Sequence, residues 1–265
     1  MAKLRVSLVA HILRWIPISI HERLPRLVDR SGLARQTAAM VLRGLDDRDV
    51  RIPRGAAAGL AFNAAGSIPT YALGTAEPYV QEALSRVVRP GMTVYDIGCS
   101  VGFFTVISAR AVGPGGRVVA FDALPANVAA ARRNAERNAL TNVEVHEVAV
   151  GAHNGPGRFA VAASSVWGRL VDGAAGTMDV QVVALDARIA SGQLPVPDVI
   201  KIDIEGGEVD ALAGLEQTLR DHRPLVLVEV HNTDRLVRAA LGAYDLRRLD
   251  PDQPDANGHY LAVPR

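Results

Sequence analysis

The sequence has few of the residues that build secreted or membrane-spanning proteins. Cys99 is its single cysteine, which excludes an intrachain disulfide framework and a cysteine zinc site. It has no run of about 18 uncharged apolar residues, so no transmembrane helix is expected. The nearest approach, residues 6–20, is interrupted by Pro17, which breaks a helix, and no secretory cleavage site is evident. We therefore expect a cytoplasmic protein.

Aromatic residues are also scarce, at 5%, whereas 49% of the residues are hydrophobic and 22% are charged. This composition excludes a mainly disordered chain and is typical of soluble globular proteins. A length of 265 residues allows one large α/β domain with an appendage, or two small domains.

Charge of one sign does not dominate, since 29 basic residues stand against 28 acidic ones. This balance excludes a nucleic-acid binder whose whole surface is basic, and we expect no nucleic-acid partner. The distribution is nevertheless uneven, because residues 1–55 contain eleven Lys or Arg against five Asp or Glu. This basic segment is either an arm that contacts an anionic partner, such as a membrane surface, or a solvated helical face.

From Thr93 onward, short runs rich in Val and Ile alternate with longer Ala-rich helical patterns. This alternation is typical of βαβ units and a parallel sheet. The strands 158–162 and 179–185 are expected to pair with each other, and the last two to form an antiparallel hairpin. The predicted strands are 93–97, 117–122, 143–150, 158–162, 179–185, 198–203, 225–230, 244–249 and 259–263, and the predicted helices are 103–112, 125–140, 207–219 and 234–241.

Three segments follow from this pattern. Residues 1–50 are expected to form a basic extension of two or three helices, and residues 51–92 a lead-in hairpin and helix that pack on the core. Residues 93–265 are expected to form a doubly wound α/β domain.

A glycine turn lies between the first predicted strand and helix of this domain, with the sequence Asp96-Ile-Gly-Cys-Ser-Val-Gly102. Glycines at such a turn let the backbone approach a ligand, and the helix N-terminus can point its N–H groups at an anionic group. The dinucleotide fingerprint G-x-G-x-x-G is excluded, because it needs a glycine where Ser100 stands. Glycines that serve only the geometry of the turn are the alternative.

An acidic residue ends the next predicted strand. Asp122 lies 24 residues after Gly98, where a carboxylate can accept hydrogen bonds from both hydroxyls of a ribose. A cap for the helix that begins near Pro125 is its alternative role. Strand, glycine turn, helix, strand and acid together favour an adenosine-containing ligand without a pyrophosphate.

Two segments resemble a known family. The segment from Asp96 to Phe104 resembles the first motif of class I S-adenosylmethionine-dependent methyltransferases, and Ile200-Lys-Ile-Asp-Ile-Glu-Gly-Gly-Glu-Val-Asp-Ala-Leu212 resembles the hallmark of the FkbM family. The resemblance covers about residues 50–264. It departs from the family pattern where Cys99-Ser100 replaces Ala-Asn and Asp122-Ala123 replaces Glu-Pro, and both changes keep the physical role of the residues replaced.

The resemblance implies a Rossmann-like seven-stranded sheet with an antiparallel last strand, and S-adenosylmethionine as the cofactor. The implied activity is transfer of a methyl group to a hydroxyl of a sugar, a glycan or glycolipid, or a polyketide-type natural product. The alternative is a catalytically silent S-adenosylmethionine-binding module with a scaffolding or regulatory role. The intact Asp203-Ile-Glu205 segment argues against that alternative.

Three side chains at the ends of predicted strands are candidates for catalysis: Asp203, Glu205 and His231. The carboxyl ends of strands in a doubly wound sheet face one crevice. A base that removes the proton of the acceptor contributes about 10²–10⁴-fold, and His231 titrates in the right range for this role. A hydrogen-bonded histidine at a strand end is its alternative reading.

Asp203 also has other readings, since it can hold the methionine part of the cofactor or cap the helix that begins near Gly207. An oxygen-rich magnesium site of Asp203, Glu205, His231 and Asn232 is a further alternative, but no local metal-binding motif supports it, and we predict no metal. The cofactor-binding residues that the resemblance implies are Glu77, Asp96, Gly98, Ser100, Gly102, Phe103, Asp122, Ala123, Ala149 and Asp203.

Overall fold

The computed structural model of the protein describes residues 48–65, 67–161, 168–170, 177–250 and 257–265. The chain divides into two compact units, Met1–Pro78 and Tyr79–Arg265. The basic extension is predicted over residues 1–50; residues 1–47 lie outside the described part, so its helices stay a prediction. The segment boundaries after residues 50 and 92 therefore stay predictions. Within the described ranges, no helix combines the length and the apolar character that a membrane span requires.

The first unit contains the predicted lead-in hairpin. Strand β1 (Val50–Arg51) pairs antiparallel with β2 (Ala61–Phe62), and helix α1 (Pro69–Leu73) follows. Pro69 suits the first turn of this helix because the N–H that it lacks has no partner there. Buried Phe62 meets Tyr71 edge to face, with the ring centroids 6.5 Å apart. This aromatic contact joins the hairpin to the helix.

The second unit alternates strands and helices along the chain. In order it comprises α2 (Pro78–Val87), β3 (Thr93–Ile97), α3 (Phe103–Val112), β4 (Arg117–Asp122), α4 (Pro125–Arg137), β5 (Val143–Glu147), β6 (Ala149–Val150), β7 (Gly155–Val161), β8 (Gly168–Leu170), β9 (Thr177–Val183), α5 (Leu185–Ala190), β10 (Val199–Ile202), α6 (Glu208–Ala213), α7 (Glu216–Asp221), β11 (Leu225–His231), α8 (Asp234–Ala240), β12 (Tyr244–Arg248) and β13 (Asn257–Pro264).

Seven of these strands form the main sheet, in the order β12, β13, β11, β10, β3, β4, β5. All neighbours are parallel except β13, which runs antiparallel to both β11 and β12. This confirms the predicted doubly wound sheet with its antiparallel last strand. The chain moves outward from β3 through β4 to β5 and then returns to place β10 on the other side of β3. Such a reversal of strand order creates the crevice in which α/β proteins bind ligands.

Helices cover both faces of the main sheet. Val119 and Phe121 of β4 belong to the large core that includes Leu212 of α6 and Leu215 shortly after it. Ala120 lies on the opposite face and packs against residues of α4 such as Ala131. All four residues of β10 are buried, as expected for a Val- and Ile-rich strand at the centre of a parallel sheet.

A smaller sheet has the order β6, β9, β7, β8. Strands β7 and β9 pair antiparallel, with Gly157 opposite Val180, which confirms the pairing predicted for this part of the sequence. Strand β6 adds to β9 in parallel, with Ala149 opposite Val182. The smaller sheet thereby begins next to the end of β5.

Two predicted elements are each divided in the structure. The single strand predicted over residues 143–150 is wrong. Contact with β4 ends at Val148, whose N donates to Asp122 O at 3.0 Å, and Ala149 and Val150 then pair with β9 in the smaller sheet. The single helix predicted over residues 207–219 is also wrong. The carbonyl of Gly214 accepts a hydrogen bond from Asp186 N at 2.9 Å, so it takes no part in a continuous helical ladder and the chain forms α6 and α7.

Candidate functional site

The glycine turn joins β3 to α3 through three residues with left-handed backbone, Gly98 (φ 81°), Ser100 (φ 49°) and Gly102 (φ 85°). A Cβ atom at Gly98 would lie 1.8 Å from the carbonyl oxygen of Asp203, and one at Gly102 would lie 2.9 Å from Cα of Ala131. Only glycine fits at either position. The turn is therefore in direct backbone contact with the end of β10 on one side and with α4 on the other.

Asp122 ties this turn to the start of α4. Its Oδ2 accepts a hydrogen bond from Ser100 N at 2.8 Å, and its Oδ1 accepts from Leu124 N at 2.9 Å and from Asn127 Nδ2 at 3.1 Å. Burial raises the pKa of Asp122 to about 6, although these three hydrogen bonds partly offset the effect. A carboxylate offers about four acceptor positions, so Asp122 fixes local structure and still has capacity for a ligand hydroxyl.

Asp96 and Asp203 are linked by a buried lysine. Lys201 is 4% exposed; its Nζ lies 3.2 Å from Oδ2 of Asp203 and 3.9 Å from Oδ1 of Asp96. It also lies 4.8 Å from the centroid of the Phe104 ring. Asp96 is held in addition by Thr105, whose Oγ1 donates to Oδ2 at 2.6 Å. A lysine is rarely so buried unless it is paired, and here it fixes two predicted site residues at the centre of the sheet.

The remaining predicted cofactor residues lie at the same end of the second unit, with one exception. Ala123 and Ala149 pack together with Val182 in a small cluster of buried residues. The side chain of Phe103 belongs to the core, edge on to Phe104 at 5.2 Å. Glu77 lies in the first unit, directly before Pro78, with φ 42°. Its part in cofactor binding, like that of the other nine residues, stays a prediction.

The glycines of the turn are required by contacts within the protein, since Asp203 and Ala131 occupy the places where their side chains would be. Ser100, which lies between them, is the residue of the turn that favours a bound ligand. The hydroxyl of Ser100 is buried and has no hydrogen-bond partner within the part of the chain that the structure describes. A buried hydroxyl is normally hydrogen-bonded, so a ligand that supplies a partner is favoured here.

His231 lies at the end of β11 among four carboxylates. Its Nδ1 is 2.8 Å from Oε1 of Glu208, and its Nε2 is 3.6 Å from Oε2 of Glu205 and 3.5 Å from Oε1 of Glu229. Burial alone would lower the pKa of His231, but its contacts with Glu208 and Glu229 and the negative charge of Asp203 outweigh burial and raise the pKa to about 10. The prediction that His231 titrates near neutral pH is therefore wrong, because the carboxylates keep it protonated.

The two glutamates beside Nε2 of His231 differ in their own titration. Burial raises the pKa of Glu205, an effect that the His231 charge opposes and the charges of Glu229 and Glu208 reinforce. Burial would also raise the pKa of Glu229, but hydrogen bonds from His231 and His259 hold it well below its usual range. Glu205, with a side chain that is 36% exposed, is the more accessible of the two.

The candidate magnesium ligands come close together. One ligand atom each of Asp203, Glu205 and His231 lie within 4.8 Å of one another. Asn232 is not in this group and has a left-handed backbone, φ 61°. The contacts of His231 with Glu205, Glu208 and Glu229 account for the cluster without a cation. We assign no metal ion to it.

The sequence reasoning missed five residues that hold this site together: Lys201, Glu208, Glu229, Asp250 and His259. Three had a readable signal, since Lys201 and Glu208 lie inside the recognised hallmark and Glu229 alternates with His231 on one face of a strand. The pairing of Glu229 with His259 depends on the register between β11 and β13, which no local pattern contains.

The fold and the site define a class of enzyme. A mostly parallel seven-stranded sheet with an antiparallel last strand, a glycine turn after the first strand and an acid after the second are the features of class I S-adenosylmethionine-dependent methyltransferases. The Methyltransferase FkbM domain matches residues 96–244. The chain belongs to the FkbM methyltransferase family, as the sequence predicted.

Several characterised proteins are similar over shorter segments. A hexuronic acid methyltransferase, AglP, from Haloferax volcanii is 29% identical over 84 residues, which cover 29% of this chain and 35% of the relative. A ribosomal protein L11 methyltransferase from Burkholderia mallei is 41% identical over 80 residues, which cover 30% of this chain and 24% of the relative. The chain thus matches about a third or less of the length of these relatives.

Solved structures are similar at low sequence identity. The methyltransferase FkbM from Methylobacillus flagellatus KT has a TM-score of 0.48 at 19% identity, over 74% of this chain and 52% of that one. An O-methyltransferase from Bacillus cereus, in complex with SAH, has a TM-score of 0.45 at 19% identity, over 71% of this chain and 79% of that one.

Proposed function

We propose that this methyltransferase acts on a hydroxyl of a sugar, a glycan or glycolipid, or a polyketide-type natural product. One observation carries the proposal: the glycine turn and the acid-base cluster touch through the backbone. Asp203 N donates to Ile97 O at 3.0 Å, and the Asp203 carbonyl lies where a side chain of Gly98 would be. A cofactor at the turn would therefore lie next to Asp203 and Glu205.

The chemistry of a hydroxyl acceptor explains why such a cluster is useful. Bound S-adenosylmethionine supplies an electrophilic methyl group on a sulfonium. A hydroxyl is a weak nucleophile until its proton is removed, so the protein must provide a proton acceptor near the methyl group. A group of titratable side chains at the crevice meets this need, and its excess of carboxylates also suits the positive sulfonium.

Glu205 is the proton acceptor that we propose. A catalytic base works best when its pKa lies near the working pH, and burial moves the pKa of Glu205 upward from its ordinary acidic value. His231 is protonated and 3.6 Å from Oε2 of Glu205, so it orients this carboxylate and does not itself accept the proton. Asp203, bound to Lys201, serves on the cofactor side.

The cofactor residues are assigned in the same way. Asp122 would accept hydrogen bonds from the ribose of the cofactor. The backbone of the turn from Gly98 to Gly102 would lie against the cofactor, and the buried hydroxyl of Ser100 would form a hydrogen bond with it. Asp96 would act through Lys201 and Thr105. Positioning of two reactants by such groups supplies up to roughly 7–11 kcal/mol in favourable reactions.

A carbohydrate acceptor has some support from the relatives. The name of the Haloferax protein states that it methylates hexuronic acid, a sugar derivative. Its similarity covers 29% of this chain, so it favours the sugar class without selecting a particular sugar.

Two measurements test the proposal in turn. Calorimetry should show that S-adenosylmethionine and S-adenosylhomocysteine bind the full chain, and that Asp122→Ala weakens both. Transfer of a labelled methyl group should then be assayed on a panel of glycans, glycolipids and polyketides. Binding of both ligands with no transfer to any hydroxyl would contradict the O-methyltransferase and support the catalytically silent module instead.

A further inference from the structure

Five side chains, alternately acidic and imidazole, contact one another in a row in the second unit, next to Glu205; we call them the Glu–His row. Its order is Glu208, His231, Glu229, His259, Asp250. Glu208 begins α6, and Glu229 and His231 lie on β11. His259 is opposite Glu229 on β13, and Asp250 follows β12. The Glu–His row thus connects three strands and one helix. Of these elements, only the end of β11 had been assigned to the site.

The two residues at the ends of the Glu–His row, Glu208 and Asp250, are buried carboxylates with fixed geometry. Glu208 is 0% exposed; its Oε1 accepts from Gly206 N at 2.8 Å, and its Oε2 accepts from Thr233 Oγ1 at 2.8 Å. Asp250 is 2% exposed and accepts from His259 N at 3.0 Å. A carboxylate is costly to bury unless its oxygens are satisfied. These bonds meet that requirement and leave each carboxylate in one orientation.

The end carboxylates determine how the two imidazole rings face. Nδ1 of His231 lies 2.8 Å from Oε1 of Glu208, and Nδ1 of His259 lies 2.7 Å from Oδ2 of Asp250. The Nε2 atoms of both rings are then directed at the central Glu229, at 3.5 Å and 3.3 Å. Nε2 of His231 is the atom that also meets Glu205. Carboxylates that hold the far nitrogen of an imidazole are known to fix its tautomer and ring plane.

We propose that Glu208 and Glu229 are positioning residues that hold His231 against Glu205, and that His259 and Asp250 support Glu229 in this task. The charged groups that face His231 are Asp203 and Glu205 from the end of β10, Glu208 from α6, and Glu229 from its own strand. Glu208 faces Nδ1 of the ring, whereas Glu229 and Glu205 both face Nε2, and Glu205 is the more exposed of these two. The inference rests on the proposed role of Glu205 as the proton acceptor.

The direct test is an NMR titration of the full chain with ¹⁵N-labelled histidine, which needs no methyl acceptor. In the wild type, both ring nitrogens of His231 should stay protonated until the pH approaches 10. Glu208→Gln and Glu229→Gln should each lower this titration by about one pH unit or more, because each removes a negative charge beside the ring. Glu144→Gln is the matched control; it removes the acidic partner of His146 and should leave the His231 signals unchanged.

A milder variant protects the test against misfolding. Thr233→Val removes only the hydroxyl that donates to Glu208. The Glu208 oxygens then keep more negative charge beside the ring, so His231 should stay protonated to a slightly higher pH than in the wild type. A downward shift would count against the role of Glu208. Asp250→Asn acts at the far end and should change the His231 signals less than Glu229→Gln does. Unchanged His231 signals in both glutamine variants would overturn the inference.

Activity separates this inference from the proposed function. With an acceptor from the panel, Glu229→Gln should reduce kcat at least tenfold with little change in KM for S-adenosylmethionine, and Glu229→Asp should restore part of it. Wild-type kcat in Glu229→Gln would contradict the positioning role. If Glu205→Gln kept the wild-type kcat, Glu205 would not be the base and the proposed function would fail in that point. The NMR result on His231 would still stand.

Discussion

Two histidines of the second unit, His231 and His146, each contact glutamate side chains, but their pKa values are shifted in opposite directions. On β11, His231 contacts Glu205, Glu208 and Glu229, and its pKa is raised to about 10. On the outer strand β5, Nε2 of His146 lies 3.0 Å from Oε1 of Glu144, but burial lowers its pKa. A glutamate neighbour is therefore not sufficient to keep a histidine charged.

The difference comes from what else surrounds each ring. His146 stacks on Phe121 with a centroid distance of 5.3 Å, and the positive charges of Arg188 and Arg132 oppose the effect of Glu144. His231 has only carboxylates among the charged groups that shift its pKa. The contact of His146 with Glu144 on an outer strand is thus a local structural feature, whereas the surplus of negative charge at the crevice is a feature of the site.

The largest expected difference between the two regions is in catalysis. Glu205→Gln should reduce methyl transfer by about 10²–10⁴-fold, because a carboxamide cannot accept the acceptor proton. Glu144→Gln should leave the rate within about twofold, since Glu144 lies on the outer strand, away from the crevice. Single-turnover assays with labelled cofactor would measure both, and calorimetry should show unchanged cofactor affinity in each. Equal rates in the two variants would remove the distinction.

The next largest difference is in stability. Glu208→Ala leaves a buried imidazolium without its main partner, and loss of one partner of a buried pair costs about 3–5 kcal/mol. Glu144→Ala breaks a pair whose carboxylate is 45% exposed, and such surface pairs contribute about 0–1 kcal/mol. Urea unfolding at pH 7 gives both free energies of unfolding. A loss below about 1 kcal/mol for Glu208→Ala would show that this carboxylate is not a fixed anchor.

The pH dependence of stability should have opposite signs for the two histidines. Unfolded His231 loses its proton near pH 6.5, but folded His231 keeps it to about pH 10. Its contribution is therefore complete below about pH 6.5 and is lost as the pH rises through 10, at up to about 1.4 kcal/mol per pH unit. His146 has a lowered pKa, so it favours the folded state at high pH and loses that effect as the pH falls.

Urea midpoints of the wild type, His231→Asn and His146→Asn between pH 5 and 10.5 separate these two slopes. His231→Asn should flatten the decline on the alkaline side, and His146→Asn should flatten the decline on the acidic side. The same change of slope in both variants would contradict the contrast.

The smallest expected effect concerns Asp122, a carboxylate of the crevice without a histidine. Its pKa is raised to about 6 by burial, so it loses its charge as the pH falls below 6. Affinity for S-adenosylhomocysteine should then weaken by up to about tenfold per pH unit, and calorimetry from pH 8 to pH 5 would detect it. Asp122→Asn should bind more weakly and without this dependence. A flat profile in the wild type would show that the ribose does not use this carboxylate.

Much of the fold could be read from the sequence because its signals are local. Strand β3 and helix α3 begin and end where the Val-rich run, Gly98 and Gly113 predict. The divisions between β5 and β6 and between α6 and α7 were missed because their causes are distant in sequence. Ala149 and Val150 pair with β9, and Asp186 N donates to the carbonyl of Gly214; a local pattern shows neither contact.

The residues of the site, too, could be predicted where the signal was local and were missed where it depended on distant contacts. The sequence placed Asp203, Glu205 and His231 at neighbouring strand ends, because the order of parallel strands is regular. It gave His231 the wrong charge, because that charge depends on Glu208 and Glu229 and on their burial. A pKa is the sum of contributions from several elements, so it follows only once the strand register is known.

The contact between Gly98 and Asp203 has a consequence for how the enzyme can change. Any side chain at position 98 would push on the Asp203 carbonyl, and Asp203 is bonded through Lys201 to the centre of the sheet. A substitution at position 98 would therefore displace Asp203 and the end of β10, to which the proposed site is attached. A change of acceptor in descendants of this protein is accordingly expected at other positions, with Gly98 retained.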